Sequence, residues 1–484
     1  MSIPLFIALP LAVAFLLPVM ARGRPVLADC LANSALAGLA IMAAASFGEA
    51  SLYHMGAWPT PIGIDLRLDP LASLMLIAVN GVGLAAGIYS VDYMRRYTDK
   101  HRYYALFLFL VAGMNGVVLA GDLFNLYVFM EVAAIASYSL VAFGCEHEEL
   151  EASFKYTVMG SLASSFILIG VALVYGVTGA LNMAHIASRI SQDGMGPPLL
   201  FALALFLCGF GLKAALVPFH AWLPDAHPSA PAPVSAMLSG VLIKAIGIYV
   251  IARLVFNVFG TDDGVMAALR WLGAISMVTG GLLATGQSDI KRLFAYSSIN
   301  QVGYIVLGLG LGTPLGVVGA LYHLINHSLF KSLLFLNAGA VEYATGRRDL
   351  KGLGGLNRSM PVTGATSLLA SMSVAGIPPL NGFWSKLIII VACIQGEAYG
   401  FAAVAVAMSI VTLAYLLKVQ RYAFFGEPPS GAPPVHGEPR LMVAAMVFLT
   451  IGCVGLSALV VGGLDSPLLV GPAARVLLGG TFAL

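Results

Sequence analysis

The sequence predicts an all-α polytopic membrane protein with about fourteen transmembrane helices, among them two inverted five-helix repeats that each contain a broken helix. Three observations predict this fold class: the composition, the spacing of the apolar runs and two proline-rich interruptions. Of the 484 residues, 59% are apolar and 10% are charged, whereas about 25% of the residues of a soluble domain are charged. This composition excludes a soluble globular enzyme.

Apolar runs of spanning length recur along the whole chain. About 20 apolar residues cross a bilayer, and the backbone of each run must satisfy its own hydrogen bonds, which predicts helices. No basic residue precedes the first run and Pro4, Pro10 and Pro18 interrupt it, which disfavours a cleaved signal peptide. The fourteen runs lie near residues 2–20, 26–47, 70–91, 103–120, 123–143, 156–178, 198–219, 233–257, 265–285, 294–311, 315–341, 362–394, 398–424 and 440–463.

The basic residues are distributed asymmetrically between the connections. With the N-terminus outside, the odd-numbered connections hold sixteen of the 25 basic residues, and the even-numbered ones hold only Arg67 and Arg189. Cytoplasmic connections are enriched in lysine and arginine, so we predict a multi-pass protein of the cell inner (cytoplasmic) membrane with both termini outside. Arg253 and Arg270 lie near outer span ends, from which long side chains can extend to the lipid–water interface.

Five charged residues fall deep within predicted spans, namely Glu131, Lys213, Lys244, Lys331 and Lys386. A charge near the bilayer centre costs about 2.5–3.5 kcal/mol, so such residues usually serve function. Burial and a nearby carboxylate shift the proton affinity of lysine in opposite directions, whereas arginine stays protonated. The pattern favours a proton path. Structural ion pairs or water-filled vestibules are the alternative.

The eleventh predicted span carries His323, His327 and Lys331 at intervals of four residues. Such residues share one helical face, and each step climbs about 6 Å, as a proton relay through water requires. Histidines bonded to the backbone and a haem site are alternatives, although no second deep histidine pair is available. The five cysteines form no CxxC pair, so we predict no cofactor and no metal site. A net charge of +2 predicts no nucleic-acid partner.

Prolines interrupt the seventh and the twelfth predicted spans. Pro218 and Pro224 follow Lys213, and Pro378 and Pro379 precede Lys386. Proline breaks a helix, and breaks at corresponding places in two halves of a chain are typical of inverted repeats. We predict helices 1–3 in residues 1–100, repeats in 101–260 (helices 4–8) and 261–425 (helices 9–13), and a loop with helix 14 in 426–484. Loops between shorter helices are the alternative, mainly for residues 220–233.

The stretches that carry these features resemble one known family. They are residues 121–131, 213–226, 231–236, 287–293, 323–331 and 376–386. Together they are similar to the antiporter-like family of Mrp-type sodium/proton antiporters, the pump subunits of NADH–quinone oxidoreductase (complex I) and energy-converting membrane-bound hydrogenases. The resemblance covers roughly residues 60–425 and is strongest to the D-type Mrp subunit and its hydrogenase relatives. Lys386, and a chain that ends at Leu484 without a long lateral helix, favour that branch.

The resemblance implies specific proton-transfer roles. Glu131 and Lys213 would form the ion pair that gates the channel, and Lys244 would be the central proton carrier. The two histidines would bridge to a second half-channel that ends at Lys386, the residue on the exit side. The residues with implied roles are Glu131, Lys213, Lys244, His323, His327, Lys331 and Lys386.

We therefore predict a proton-translocating subunit of a multisubunit cation/proton antiporter or redox-driven pump, without a redox centre of its own. Its expected partners are other membrane subunits, the lipid bilayer and protons. A stand-alone secondary cation/proton transporter is the main alternative, since Glu131 could also contact sodium. A quinone- or haem-binding redox subunit is a third hypothesis, which the cysteine and histidine patterns disfavour. The host complex and the transport of sodium stay open.

Overall fold

A computed structural model of the chain describes residues 3–427, 437–458, 460, 463, 468 and 470–479. The described part is mainly helical, and part of the predicted loop and of the last predicted span lies outside it. The first ten α-helices are α1 Leu5–Met20, α2 Pro25–Ala45, α3 Pro70–Tyr93, α4 Lys100–Leu119, α5 Leu123–Val141, α6 His147–Thr178, α7 Met183–Asp193, α8 Pro197–Lys213, α9 Leu223–Ser229 and α10 Ala232–Met237. The others are α11 Tyr249–Arg253, α12 Asp263–Thr285, α13 Ile290–Gly310, α14 Pro314–Thr345, α15 Leu356–Ser359, α16 Pro361–Ala375, α17 Asn381–Gln395, α18 Tyr399–Val419, α19 Arg440–Ala458 and α20 Val470–Leu478.

The prediction of a polytopic helical protein is confirmed. Among the described residues, nine helical segments are long and apolar enough to cross a membrane, and three shorter apolar helices accompany them. Helix α14, 32 residues long, packs against α3, α10, α13, α16, α17 and α19 and so occupies the centre of the bundle. The count of fourteen spans stays a prediction.

Two parts of the chain have matching architecture. Asp122 caps α5 and forms a bridge with Asn182, while Asp289 caps α13 and forms a bridge with Asp349. The helix that follows each of these capped helices, α6 or α14, is 32 residues long and ends at a glycine with left-handed backbone. A broken helix comes later in each part. These correspondences support two repeats, whose boundaries stay a prediction.

The two repeats run in opposite directions. Asp225 pairs at 3.1 Å with both Lys155, near the start of α6, and Arg292, near the start of α13. The start of α5 instead lies beside the end of α6, where Asp122 bridges Asn182. Helices α5 and α13 occupy equivalent places in the two repeats and therefore point opposite ways.

Basic connections gather at one end of the bundle, which we call the basic end and define by Lys155, Arg292, Arg348 and Lys418. Arg348 pairs with Asp289 at 3.3 Å, and the Lys418 ammonium donates to the Thr285 carbonyl at 3.0 Å. This clustering agrees with the asymmetry of basic residues in the sequence.

The opposite end holds elements that the sequence analysis missed. Strands β1 Ser51–His54 and β2 Asp65–Leu68 pair antiparallel, and the amphipathic helix α7 buries Met183, Ile186 and Ile190. Short elements of this kind carry no spanning-length apolar signal. Helix α20, in the predicted tail, packs on α3 and α14.

The prediction that Arg253 extends to the lipid–water interface is wrong. Its side chain is buried and its guanidinium pairs with Asp69 at 2.5 Å. The tertiary fold supplies a carboxylate that could not be read from the sequence around Arg253, and pairing replaces the solvent that the charge would otherwise need.

Asp69→Ala is expected to be strongly destabilising. It leaves the buried Arg253 without this carboxylate, which costs about 3–5 kcal/mol, and removes the cap that accepts from the Ala72 amide at 2.9 Å. The measurement is the temperature at which the protein in detergent loses its monodisperse size-exclusion peak. Asp262→Ala removes an exposed cap of α12 and should cost only about 1 kcal/mol; equal shifts for the two variants would contradict a stabilising ion pair.

Candidate functional site

The first broken helix places Lys213 at a helix end. Helix α8 ends at Lys213, and α9 begins only at Leu223 after a segment without helix that contains Pro218. The Trp222 indole donates to the Leu212 carbonyl at 3.0 Å and so satisfies one of the last carbonyls of α8. The break predicted from the prolines is confirmed, and it places Lys213 at a helix end within the bundle.

The second broken helix likewise has a buried lysine, Lys386, beside a helix end. Helix α16 ends at Ala375, Gly376 follows with a φ of +84° that favours glycine, and α17 begins at Asn381. The Lys386 ammonium donates to the Ala375 carbonyl at 3.5 Å. Each break therefore brings one buried lysine to a helix end.

Glu131 and Lys213 form the ion pair that the family resemblance implies. The Glu131 carboxylate lies 3.8 Å from the Lys213 ammonium, and the side chains are 27% and 2% exposed respectively. The Ser164 hydroxyl donates to Glu131, and Lys213 also donates to the Tyr138 hydroxyl at 3.3 Å. Both charges have alternative polar partners, so the pair can open without leaving either group bare.

Lys244 lies in a helical segment with unusual winding. Between α10 and α11 the residues Leu238–Leu242 and Lys244–Ile248 form π-turns, a feature frequent at functional sites. The ammonium donates to the Ser239 carbonyl, and Lys244 is fully buried. Gly247 packs directly on Ala214, where an added Cβ would lie 2.7 Å from the alanine Cβ. The segment that carries Lys244 therefore contacts the helix end that carries Lys213.

Helix α14 continues the array of titratable groups from Lys244 towards α17. Lys244 and Lys331 lie within electrostatic range of each other, and both also lie within electrostatic range of His327. The rings of His327 and His323 are 6.4 Å apart, and His323 Nδ1 lies 2.9 Å from the hydroxyl of Ser385, the residue before Lys386. The predicted alignment of His323, His327 and Lys331 on one helix therefore leads to Lys386.

The lysines of this array have no acidic partners among the described residues. In the part of the chain that the structure describes, no carboxylate lies within ion-pair distance of Lys244, Lys331 or Lys386. Their hydrogen bonds go to neutral groups, as in the 2.5 Å contact between Lys331 and the Ser297 hydroxyl. Ammonium groups within electrostatic range repel each other, so a proton held by one lysine disfavours a proton on the next.

Buried polar atoms without a protein partner accompany the array. They include His323 Nε2 and Gln301 Oε1. A buried polar atom without a hydrogen bond costs about 1–3 kcal/mol, and internal water normally satisfies such atoms. The array therefore has the polar lining that a hydrated path requires.

The sequence analysis missed His227 and a second glutamate–lysine pair. His227 is fully buried, and neither of its ring nitrogens has a hydrogen-bond partner within the described residues. It lies within electrostatic range of three lysines, namely Lys244, Lys331 and Lys291. Lys291 pairs with Glu342 at 2.8 Å and donates to the Ala230 carbonyl at 3.2 Å. The proline-rich stretch around Asp225 was the only available signal for His227.

Two open cavities at the basic end lie between the repeats. One, of about 480 Å³, is lined by Asp225, Lys155 and Arg292, and the other, of about 460 Å³, by Lys291, Glu342 and Ala230. Residues 229 and 230 of this wall follow closely on His227 in the chain. The wall of these cavities therefore includes residues that lie next to His227 in the chain.

A metal site is not assembled by these side chains. Within the described ranges, no three histidine, cysteine, aspartate or glutamate residues come together in an arrangement that could hold a metal ion. The predicted sodium contact, Glu131, has a serine hydroxyl and a lysine ammonium as its polar neighbours.

Comparison with known proteins gives consistent matches along most of the chain. The family described as "NADH:quinone oxidoreductase/Mrp antiporter, TM" matches residues 120–412, and that described as "NADH-Ubiquinone oxidoreductase (complex I), chain 5 N-terminus" matches residues 57–104. The chain is 38% identical to the N-type subunit of the NADH-quinone oxidoreductase of Desulforudis audaxviator, with 95% of this chain and 94% of that protein covered.

Two further relatives are Mrp proteins. Over 83% of this chain and 82% of the relative, the sequence is 38% identical to the D-type subunit of the Na(+)/H(+) antiporter of Alkalihalophilus pseudofirmus. A chain of the Mrp complex from Dietzia sp. DQ12-45-1b superposes with a TM-score of 0.90 at 31% identity, with 99% of this chain and 97% of that chain covered.

Proposed function

The chain belongs to the family of membrane subunits shared by NADH:quinone oxidoreductases and Mrp antiporters, and we propose that it translocates protons as one subunit of a multisubunit membrane complex. One observation carries this proposal, namely the array of buried titratable groups that connects the two broken helices. A purely structural role does not explain why this array contains several buried lysines that have no acidic partner among the described residues.

The proposed path follows residues 131 to 386 through the bundle. Opening of the Glu131–Lys213 pair frees the Lys213 ammonium beside the segment that carries Lys244. The added positive field makes Lys244 release its proton, which passes through water along Lys331, His327 and His323. Lys386 takes it up at the second break. Coupling between the ends is then electrostatic, with the ion pair as the element that has two states.

The same proposal extends to location and partners. With the basic end in the cytoplasm, the chain would lie in the cell inner membrane with both termini outside and divide at the predicted repeat boundaries. Its partners would be other membrane subunits. Sodium transport through this chain is less favoured, because a cation at Glu131 would have to displace the Lys213 ammonium 3.8 Å away.

Lys386→Met is the experiment that tests the proposal. The complex that contains this chain, purified whole and placed in proteoliposomes, should move protons at least tenfold more slowly when this lysine cannot bind a proton. A pH-sensitive dye inside the vesicles gives the rate, and subunit composition on a gel confirms assembly.

Lys351→Met is the matched control, since Lys351 is exposed on a short helical turn. It should leave the rate unchanged. A wild-type rate for the assembled Lys386→Met complex would remove Lys386 from the path. A loss of proton movement in both variants would show that the defect does not report on a buried carrier.

A further inference from the structure

A buried polar face on α16 runs from the basic end towards Lys386. Its side chains recur at intervals of one to four residues and are at most 4% exposed. Because residues three and four apart share a helical face, these side chains form a continuous polar stripe along the helix. We call this stripe the α16 ladder; it consists of Thr363, Thr366, Ser367 and Ser371.

Side chains from neighbouring helices extend the α16 ladder. Gln420 donates to the hydroxyls of Ser367 at 2.9 Å and Ser371 at 3.0 Å. Gln420 also begins a π-turn, Gln420–Phe425, as Lys244 does in the first repeat, and such turns are frequent at functional sites. On the other side, the Thr366 hydroxyl donates to the Asn337 side-chain oxygen at 2.8 Å.

The two ends of the α16 ladder reach different surroundings. At the basic end, the Thr363 amide donates to the Glu438 carboxylate at 2.8 Å, and Glu438 is half-buried. At the inner end, Ser371 lies one helical turn, about 6 Å, before Ala375, the residue whose carbonyl accepts from Lys386. The ladder thus extends from a partly exposed acid to the buried lysine.

Three buried atoms along the α16 ladder have no protein partner in the described residues, namely Thr363 Oγ1, Asn337 Nδ2 and Gln420 Oε1. Serine and threonine in membrane helices commonly bond their own backbone, as Thr366 does with the Val362 carbonyl at 3.0 Å. That explanation fails for these three atoms. Each is a buried polar atom of the kind that internal water normally satisfies.

The other side of Lys386 is apolar. Its ammonium lies 4.6 Å from the centre of the Tyr304 ring. Beyond this ring, farther along α13 and α17 from the basic end, the side chains pack into a buried apolar cluster that includes Met277, Leu307, Ile389, Cys393 and Ala405. A dry cluster of this kind offers no hydrogen bonds to water, so it blocks proton movement towards the opposite end.

We infer that Lys386 exchanges protons with the basic end through a water-filled path along the α16 ladder, while the apolar cluster around Tyr304 closes the opposite side. This inference rests on the proposed function for the role of Lys386. It gives the second repeat its own connection to the basic end, in addition to the array through Lys244. Release to the opposite side then requires the apolar cluster to open and become hydrated.

Cysteine accessibility tests the path. The five native cysteines are replaced, and a single thiol is introduced by Ser371→Cys or, as the matched control, Ala405→Cys, in membranes that contain the whole complex. Silver ions are added from one side, and the remaining thiol is then titrated after denaturation. The thiol of the Ser371→Cys variant should react at least tenfold faster from the basic end than from the other side, and that of Ala405→Cys slowly from both.

The transport rate supplies a second readout. Gln420→Leu should lower proton movement at least tenfold in the assembled complex, whereas Thr450→Val, which removes a hydroxyl bonded to its own helix on α19, should not change it. A Ser371→Cys thiol that reacts no faster than the Ala405→Cys thiol, or faster from the opposite side, would overturn the path.

The two proposals fail separately. If the Ser371→Cys thiol reacts from the basic end and Lys386→Met transports normally, the hydrated path stands and the role of Lys386 is wrong. If the Ser371→Cys thiol does not react and Lys386→Met stops transport, the role stands and the path is wrong.

Discussion

Lys244→Met is expected to abolish proton transport and at the same time to raise thermal stability. Lys244 is fully buried and donates to the Ser239 carbonyl, with the ammonium of Lys331 in electrostatic range. A charge at the bilayer centre costs about 2.5–3.5 kcal/mol, and the lost hydrogen bond contributes only about 1 kcal/mol. Methionine fills a similar volume, so we expect a net gain of about 1.5–2.5 kcal/mol alongside the loss of proton transport. Melting in detergent and dye-monitored proton uptake by the complex measure the two effects.

Lys291→Met is the contrasting variant. Lys291 is equally buried, but it pairs with Glu342 at 2.8 Å. Its removal leaves a carboxylate unpaired, which lowers stability, although by less than the roughly 3–5 kcal/mol of a fully buried pair because Glu342 is 20% exposed. If Lys244→Met instead melts earlier than the unaltered protein, the Lys244 ammonium has a stabilising partner, and if it transports at the normal rate, Lys244 carries no protons.

The buried charges could be predicted from the sequence because their cost in lipid does not depend on the tertiary contacts. A lysine within an apolar run can be recognised wherever its partners lie, as is the case for Lys213, Lys244, Lys331 and Lys386. The two breaks were likewise local, since proline disrupts a helix through its own ring and missing donor. These features determined most of the candidate site.

Partners distant in the chain could not be predicted. From the sequence alone, Lys291 is interpreted as an ordinary cytoplasmic charge, because only the fold places Glu342 of α14 beside it. Arg253 is likewise interpreted as an interfacial residue, because only the fold places Asp69 beside it. The π-turns at Lys244 and Gln420 also left no local signature, because winding of this kind depends on how neighbouring helices pack. The α16 ladder passed unnoticed for a related reason: serine and threonine in an apolar span are cheap to bury when they bond their own helix.

Glu131→Gln and Lys213→Gln are each expected to slow proton transport at least tenfold, and the double variant to be little slower than either one. At an effective dielectric constant of about 20, charges 3.8 Å apart attract each other by about 4 kcal/mol, less where one is 27% exposed. An attraction of this size keeps the two side chains paired most of the time but still allows them to separate. Once one charge is gone there is no pair to open, so losing the second charge changes little. Proton-uptake rates of the four complexes give the coupling free energy, which should exceed about 1 kcal/mol.

The exposed pair of Glu151 and Lys155 provides the control for this cycle. These residues are 2.8 Å apart, closer than Glu131 and Lys213, but 54% and 48% exposed. Exposed pairs on a helix contribute little because water and salt screen them, so neutral variants here should not alter transport. Additive effects at Glu131 and Lys213 would mean that the two residues act independently and that their ion pair is no gate. We therefore expect burial, rather than distance, to separate the proposed switch from a surface contact in this protein.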